Sequence, residues 1–334
     1  MEKKFQLPAI RFCCSLLLII LYFSLVHLAW SRQETPLKGG TENSGTEQPK
    51  SCSDSGKIRI ASCQFPISSD IAENFGWIKD QMIEAKIKKA DIVHFPECAL
   101  SGYPGVDMHS IEDFDWDELF RSTDSIRSLA RDLGIWVVLG SMHQLSEGNK
   151  PHNSLYVISS SGEVVDRYDK RFCTAGDLNY FSPGDHFVRF ELNGVTCGLL
   201  ICYDIRFPEL YRQYRSLNTD VVFQSFYNAR QKHGSIHPLI MPVTSQAMAA
   251  SNYFYMSLTN SSAPESWPVH FITPDGLVQN KLPANEPGVL ISDIDLSRNY
   301  YDASRPFRPD AIQGKLNSGK VIADPRSADR NRIY

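Results

Sequence analysis

The most constraining feature of the chain is a set of short apolar runs, each handing over to polar residues at its carboxyl end. The sharpest is Gly198-Leu199-Leu200-Ile201, which carries no charge, runs into Cys202, and gives way to a polar turn and a helix start at Pro208-Glu209. This reads as a buried strand that delivers a cysteine at its end. In open α/β sheets ligands sit at the carboxyl ends of strands, so a thiol there is placed to be a nucleophile. Taken alone, the same cysteine fits a small buried hydrophobe, the usual habit of a free thiol, equally well.

Similar runs recur. Lys57 to Gln64 alternates as a first strand, and Asp70 or Asn74 caps a helix running to about Lys89. Asp91 to Phe95 is a short strand ended by Pro96-Glu97. A helix over Asp115 to Leu133 stops at Gly134, and Ile135 to Gly140 is the next strand. Asn153 to Ile158 and Glu163 to Tyr168 form a hairpin turning at Ser161-Gly162, followed by a long loop from Asp169 to Gly184. Long ordered loops tend to carry function. Phe187 to Leu192 and Val195 to Ile201 form a second hairpin, Pro208 to Tyr214 a helix, and Asp220 to Ser225 a strand. Pro238 to Ser251 is helical and Tyr253 to Leu258 a strand; a hairpin at Pro274-Asp275-Gly276 and a last strand over Val289 to Ile294 complete the set. Helices and strands alternate through both halves, which predicts a layered α/β fold. No short-period internal repeat is visible.

The first 31 residues differ from the rest. Lys3, Lys4 and Arg11 precede an apolar run from Ser15 to Trp30, with Ala29-Trp30-Ser31 as a small-x-small cleavage pattern. This predicts a signal peptide or, if uncleaved, a membrane anchor, with the rest of the chain exported or held outside the cytoplasm. Residues 32–56 hold almost no large apolar side chains and predict a flexible tether. Beyond the leader lie Cys52, Cys63, Cys98, Cys173, Cys197 and Cys202, an even number that permits disulfides but is sparse for the length. The formal net charge of −4, with no basic block, argues against a nucleic-acid partner.

Three polar residues each close a strand-like run: Glu97, Lys170 and Cys202. Singly they are bland: Glu97 suits a cap or an ion pair, Lys170 a solvated surface lysine, and Asp204 with Arg206 a local ion pair. Together, Phe95-Pro96-Glu97 with Ser101-Gly102-Tyr103, then Tyr168-Asp169-Lys170, then Cys202-Tyr203-Asp204 with Arg206-Phe207-Pro208-Glu209 resemble the three signatures of the nitrilase, or carbon-nitrogen hydrolase, superfamily over residues 57–296. The resemblance implies a four-layer α-β-β-α sandwich with Glu97, Lys170 and Cys202 as catalytic residues, and residues 297–334 as a C-terminal extension. Family members use such extensions to pack against a partner, which implies a homodimer; a loose surface tail is the competing reading. The family's second glutamate, ahead of Tyr-Phe-x-x-Gly, is here Asp177, one methylene shorter and therefore of uncertain reach.

The chemistry agrees with these residue types. A free thiol of pKa about 8.5 is mostly protonated at neutral pH and needs a base. Glu97, with its pKa raised by burial, would supply it, and Lys170 with the backbone N–H of Tyr203 would stabilise an oxyanion. Base, cation and nucleophile are all present, so no cofactor or metal is required. Tyr103, Phe226, Tyr227 and Asn228 are candidates to line the substrate pocket, and Arg206 either binds a substrate carboxylate or is structural. Cys202-Tyr203-Asp204 is closer to the amidase and carbamoylase branches than to true nitrilases, and the run to Tyr211 resembles the omega-amidase branch. The expected reaction is conversion of a small linear amide or carbamoyl compound to an acid and ammonia through a thioester. The alternatives are an N-acyltransferase using the same thioester, or an inactive binding protein. No Gly-x-Ser-x-Gly or His-Glu-x-x-His occurs, which disfavours serine and zinc hydrolysis. His233 and His237, four apart, read as structural, and Asn260-Ser261-Ser262 is a glycosylation acceptor pattern.

Overall fold

The computed structural model describes residues 55–333. The leader, the tether up to residue 54 and Cys52 lie outside the described residues. Among the described residues, no helix is long and apolar enough to cross a membrane.

The first half of the domain runs β1 (Lys57–Gln64), α1 (Ile71–Ile87), β2 (Ile92–His94), α2 (Trp116–Leu133), β3 (Trp136–His143), β4 (His152–Ile158) and β5 (Val164–Asp169). The second runs β6 (Arg189–Leu192), β7 (Val195–Ile201), α3 (Pro208–Ser216), β8 (Val221–Ser225), α4 (His237–Asn252), β9 (Tyr255–Thr259), β10 (His270–Ile272), β11 (Val278–Lys281) and β12 (Gly288–Asp295). Two short helices, α5 (Arg308–Ile312) and α6 (Pro325–Ala328), belong to the C-terminal extension. The strands form two six-stranded sheets, ordered β12-β1-β2-β3-β4-β5 and β11-β10-β9-β8-β7-β6. In each, three strands are parallel and joined by helices, β1-β2-β3 and β7-β8-β9, and two antiparallel strands follow. The halves therefore repeat one topology, although no repeat is visible in the sequence.

Period-two burial explains the layering. Ile58, Ile60, Val138, Leu155 and Val157 of the first sheet share one apolar cluster with Val195, Cys197, Leu199, Val221 and Phe223 of the second. Trp136 stacks on Phe190 at 5.8 Å across that layer. The alternate residues Ala61, Cys63, Val93, Val137 and Leu139 pack instead with Ile78 and Met82 of α1 and Ile126 and Ala130 of α2. Leu210, Tyr211 and Tyr214 of α3 and Met241 and Ala249 of α4 pack against the second sheet. The result is the expected α-β-β-α sandwich. Of the two candidate caps for α1, Asp70 is the one used, accepting from the Glu73 N–H at 3.0 Å. Asn74 is buried and donates to the carbonyls of Ser68 and Leu100.

One expectation changes. Asn260 is fully buried, accepting from the N–H groups of Asn228 and Ser261 and donating to the Trp267 carbonyl, so the folded domain offers no glycan acceptor there. Cys63, Cys98, Cys173, Cys197 and Cys202 are free thiols rather than disulfide partners.

One polar seam crosses the apolar layer between the sheets. His94, at the end of β2, bonds through Nδ1 to Ser257 Oγ at 2.8 Å and through Nε2 to Ser225 Oγ at 2.9 Å. Ser225 and Thr259 also donate to the Phe95 carbonyl. This ties the carboxyl end of β2, three residues before Glu97, to those of β8 and β9. Burial lowers the His94 pKa to about 3, so the imidazole is neutral in the folded state. The unfolded chain takes up a proton near pH 6.5 and the folded chain does not, so stability falls as pH drops below that value. Comparing urea unfolding at pH 7 and pH 4.5 should show a loss of roughly 2–3 kcal/mol, at about 1.4 kcal/mol per pH unit. The loss should be absent from H94Q; an equal loss in that variant would assign the slope to other groups.

Candidate active site

Glu97 follows β2, Lys170 follows β5, and Cys202 opens a 3-10 turn, Cys202–Arg206, directly after β7. The chain turns sharply there, and Cys202 holds a positive φ of 39°, a strained value for a residue with a Cβ. The turn is held by Asp204. Its Oδ2 accepts from the Ile201 N–H at 3.0 Å and from the Tyr168 hydroxyl at 2.8 Å, and its Oδ1 accepts from the Phe172 N–H at 2.9 Å. Tyr168 and Phe172 flank Lys170, so one buried carboxylate fixes the cysteine and the lysine segments together. Burial pushes the Asp204 pKa up to about 6 against the pull of these donors. The anticipated Asp204–Arg206 ion pair does not form, because the local donors saturate Asp204. Arg206 is exposed, outside the cleft, and makes no ion pair among the described residues.

Lys170 is 1 % exposed and is met by two carboxylates. Its Nζ donates to Glu97 Oε1 at 2.8 Å and to Asp177 Oδ2 at 2.8 Å. Its own burial favours the neutral amine, but the Glu97 and Asp177 carboxylates outweigh it, and its pKa stands well above the usual lysine range. Asp177 therefore reaches the lysine as closely as Glu97 does, despite its shorter side chain. The backbone compensates: Asp177 starts a 3-10 turn, and its carboxylate is fixed by the Thr174 N–H at 2.9 Å and the Tyr103 hydroxyl at 2.5 Å.

Glu97 is fully buried. Oε1 accepts from Lys170 and from Asn153 Nδ2, each at 2.8 Å, while Oε2 has no hydrogen-bond partner among the described residues. Burial raises the Glu97 pKa, with Lys170 opposing. The Cys202 pKa is raised by burial and then by the Glu97 charge, and Lys170 pulls it down. The resting thiol is therefore protonated, next to a carboxylate with an open oxygen.

The cleft has a volume of about 440 Å³ and is lined by Tyr103, Lys170, Asp177, Cys202, Tyr227 and His237 among others. Tyr103 stacks on Tyr227 at 4.8 Å. Tyr203 also lines the cleft, beside the nucleophile candidate. Phe226 does not: its ring is buried edge-on against Trp267 at 4.8 Å, and only its carbonyl serves the site, accepting from the Glu97 N–H at 3.3 Å. Phe226 and Tyr227 follow the end of β8, and their side chains take opposite sides of that segment, Phe226 into the core and Tyr227 into the cleft wall. Asn153, Asn228 and His237 complete the site. Asn228 Nδ2 lies 3.6 Å from Cys202 Sγ. A strand that begins with an asparagine ahead of Leu155 was the available signal for Asn153; His237, read from its spacing to His233 as structural, instead lines the cleft because the start of α4 packs there. Among the described residues, no group of three or more His, Cys, Asp or Glu side chains could hold a metal ion.

Residues 59–300 match the family model for carbon-nitrogen hydrolases. The chain belongs to this family. It is an enzyme of the carbon-nitrogen hydrolases, which act on non-peptide bonds. A 2-oxoglutaramate amidase of Bacillus subtilis is 28 % identical over 250 residues, covering 73 % of this chain and 93 % of the relative. An omega-amidase of Xenopus tropicalis is 27 % identical over 256 residues, covering 72 % and 89 %. The fold matches that of an amidase from Nesterenkonia sp. with a TM-score of 0.64 at 23 % identity, over 78 % of this chain and 96 % of that one.

Two substitutions test how this carbon-nitrogen hydrolase holds its site. D204N turns an acceptor of three hydrogen bonds into a group that sets an amide N–H₂ against donors. It should cost roughly 1–3 kcal/mol in urea unfolding, with a larger loss of kcat than of substrate affinity. In G140A, the new Cβ would stand 1.9 Å from the Pro96 carbonyl oxygen and 3.0 Å from the Cys98 nitrogen, on either side of Glu97. Overpacking of this kind costs about 1–3 kcal/mol, and ammonia release should fall with it. Wild-type stability and turnover in either variant would refute the close fit described.

Proposed function

We propose that the protein hydrolyses a small linear amide to a carboxylate and ammonia through a thioester on Cys202. The observation that carries this reading is the meeting of a protonated thiol and a twice-paired ammonium in one cleft, with the buried Glu97 carboxylate, one oxygen unpaired among the described residues, held against that ammonium just behind the cleft wall. Glu97 takes the Sγ proton as sulfur attacks the amide carbon. The carbonyl electrons move onto oxygen, where Lys170 and the Tyr203 N–H meet the developing charge. The C–N bond breaks as Glu97 returns the proton to nitrogen, and ammonia leaves. Water then gives a proton to Glu97 and attacks the thioester. The C–S bond breaks, sulfur regains its proton from Glu97, and the carboxylic acid departs and ionises in solvent.

Asp177 holds Lys170 charged throughout, so the ammonium stays positive when the Glu97 proton moves. A cavity of this volume suits a small molecule rather than a protein chain. The amidase relatives support an amide over a nitrile. Ammonia release across a panel of small linear amides, carbamoyl compounds and nitriles tests the reading. Activity is expected on amides or carbamoyl compounds, with little on nitriles. C202A should fold with wild-type circular dichroism and lose ammonia release. E97Q should lower kcat by about 10²–10⁴, and its mass spectrum after amide exposure should show the acyl adduct. Ammonia release retained by C202A would overturn the proposal.

A further inference from the structure

A second cavity, of about 650 Å³, lies between the carboxyl end of α3, the residues after β12 and the C-terminal extension. Four arginines line it: Arg215, Arg298, Arg305 and Arg308. Arg308 is buried and fully engaged, pairing with Asp302, donating to Ser304 Oγ at 2.8 Å and to the Ser251 carbonyl at 3.3 Å, and lying over the Tyr253 ring. That pairing uses Asp302, the one carboxylate in the lining. The guanidinium groups of Arg215, Arg298 and Arg305 make no hydrogen bond or ion pair among the described residues.

Arg215 is half-buried, and burial followed by the Arg308 charge lowers its pKa. Asp220 pulls the other way, but it accepts the Thr196 N–H on the neighbouring strand. Two segments distant in sequence, the end of α3 and the C-terminal extension, thus bring four cations to one concave surface with one carboxylate among the lining residues. Like charges gathered in a partly buried cleft repel, and an entering anion relieves the repulsion. Guanidinium forks match the oxygens of phosphate in paired, charge-assisted hydrogen bonds. The cavity is larger than one phosphate needs, and Leu296 and Ile312 add apolar wall.

We propose that this cavity binds a phosphate-bearing anion, with Arg215, Arg298 and Arg305 as the recognising groups. A soluble phosphorylated molecule and an anionic lipid headgroup present the same chemistry. The test uses the full chain and the double variant R215Q/R298Q. These two side chains hold nothing else in the fold, so the variant's melting temperature without ligand should equal the wild type's or exceed it. Inorganic pyrophosphate should raise the wild-type melting temperature beyond sodium chloride at matched ionic strength. In calorimetric titration the double variant should bind it at least about tenfold more weakly. Sedimentation with phosphatidylglycerol or phosphatidylcholine vesicles separates the sources. An excess on phosphatidylglycerol that vanishes in the variant assigns a headgroup; pyrophosphate binding without such an excess assigns a soluble phosphate. A pyrophosphate effect no larger than that of salt, together with no vesicle excess, would overturn the proposal. So would pyrophosphate and vesicle binding undiminished in R215Q/R298Q.

Discussion

A lysine ammonium buried in the fold and clasped by two carboxylates is the interaction on which the site rests. Burial alone would drive Lys170 to release its proton. Glu97 and Asp177, each 2.8 Å away, reverse that preference. The pair of acids also differ from one another. Asp177 is fixed by three donors and stays ionised, its pKa held below the usual carboxylate range by Lys170 despite its burial. Glu97 keeps one oxygen open, and its burial favours the protonated form. Two carboxylates on one ammonium thus differ in setting: Asp177 is fully engaged, and Glu97 keeps one oxygen unpaired among the described residues, which is what the proposed proton transfer would use.

The fold brings these groups together by repeating itself. Each half supplies three parallel strands whose carboxyl ends point the same way along the sheet, and the sandwich sets the two halves face to face. Glu97 and Lys170 come from the first sheet, Cys202 from the second. The seam around His94 fastens the ends of β2, β8 and β9, and Asp204 fastens the turn after β7 to the segment after β5. Both devices are buried polar groups with their hydrogen bonds satisfied. Such groups tolerate one arrangement of their partners and penalise others.

Much of this was legible from residue order. A run such as Gly198 to Ile201 can bury all its side chains only as an inner strand, and Pro96 after His94-Phe95 must end one. Glu97, Lys170 and Cys202 could therefore be placed at strand ends, and the layered α/β class followed from the alternation of elements. Side-chain direction in the segments after the strands was less accessible. Phe226 and Tyr227 are neighbours of similar chemistry, and only the path of the chain after β8 decides which faces the cleft. Arg206 is near the cysteine in sequence, but the 3-10 turn carries it to solvent. Asn260 matched a surface motif, yet its place after β9 buries it among the donors of the neighbouring loop.

The sequence alone determined the element types, the layer class and the three motif residues that carry the family resemblance, because apolar periodicity and residue type are local properties. The tertiary structure decided which polar atoms pair, that Asp177 reaches Lys170 as closely as a longer acid would, and that Asn153 braces Glu97. It also revealed the repeat of the two halves and the arginine-lined cavity. Those outcomes depend on distances between segments that lie far apart along the chain, and only the packing of the two sheets sets them.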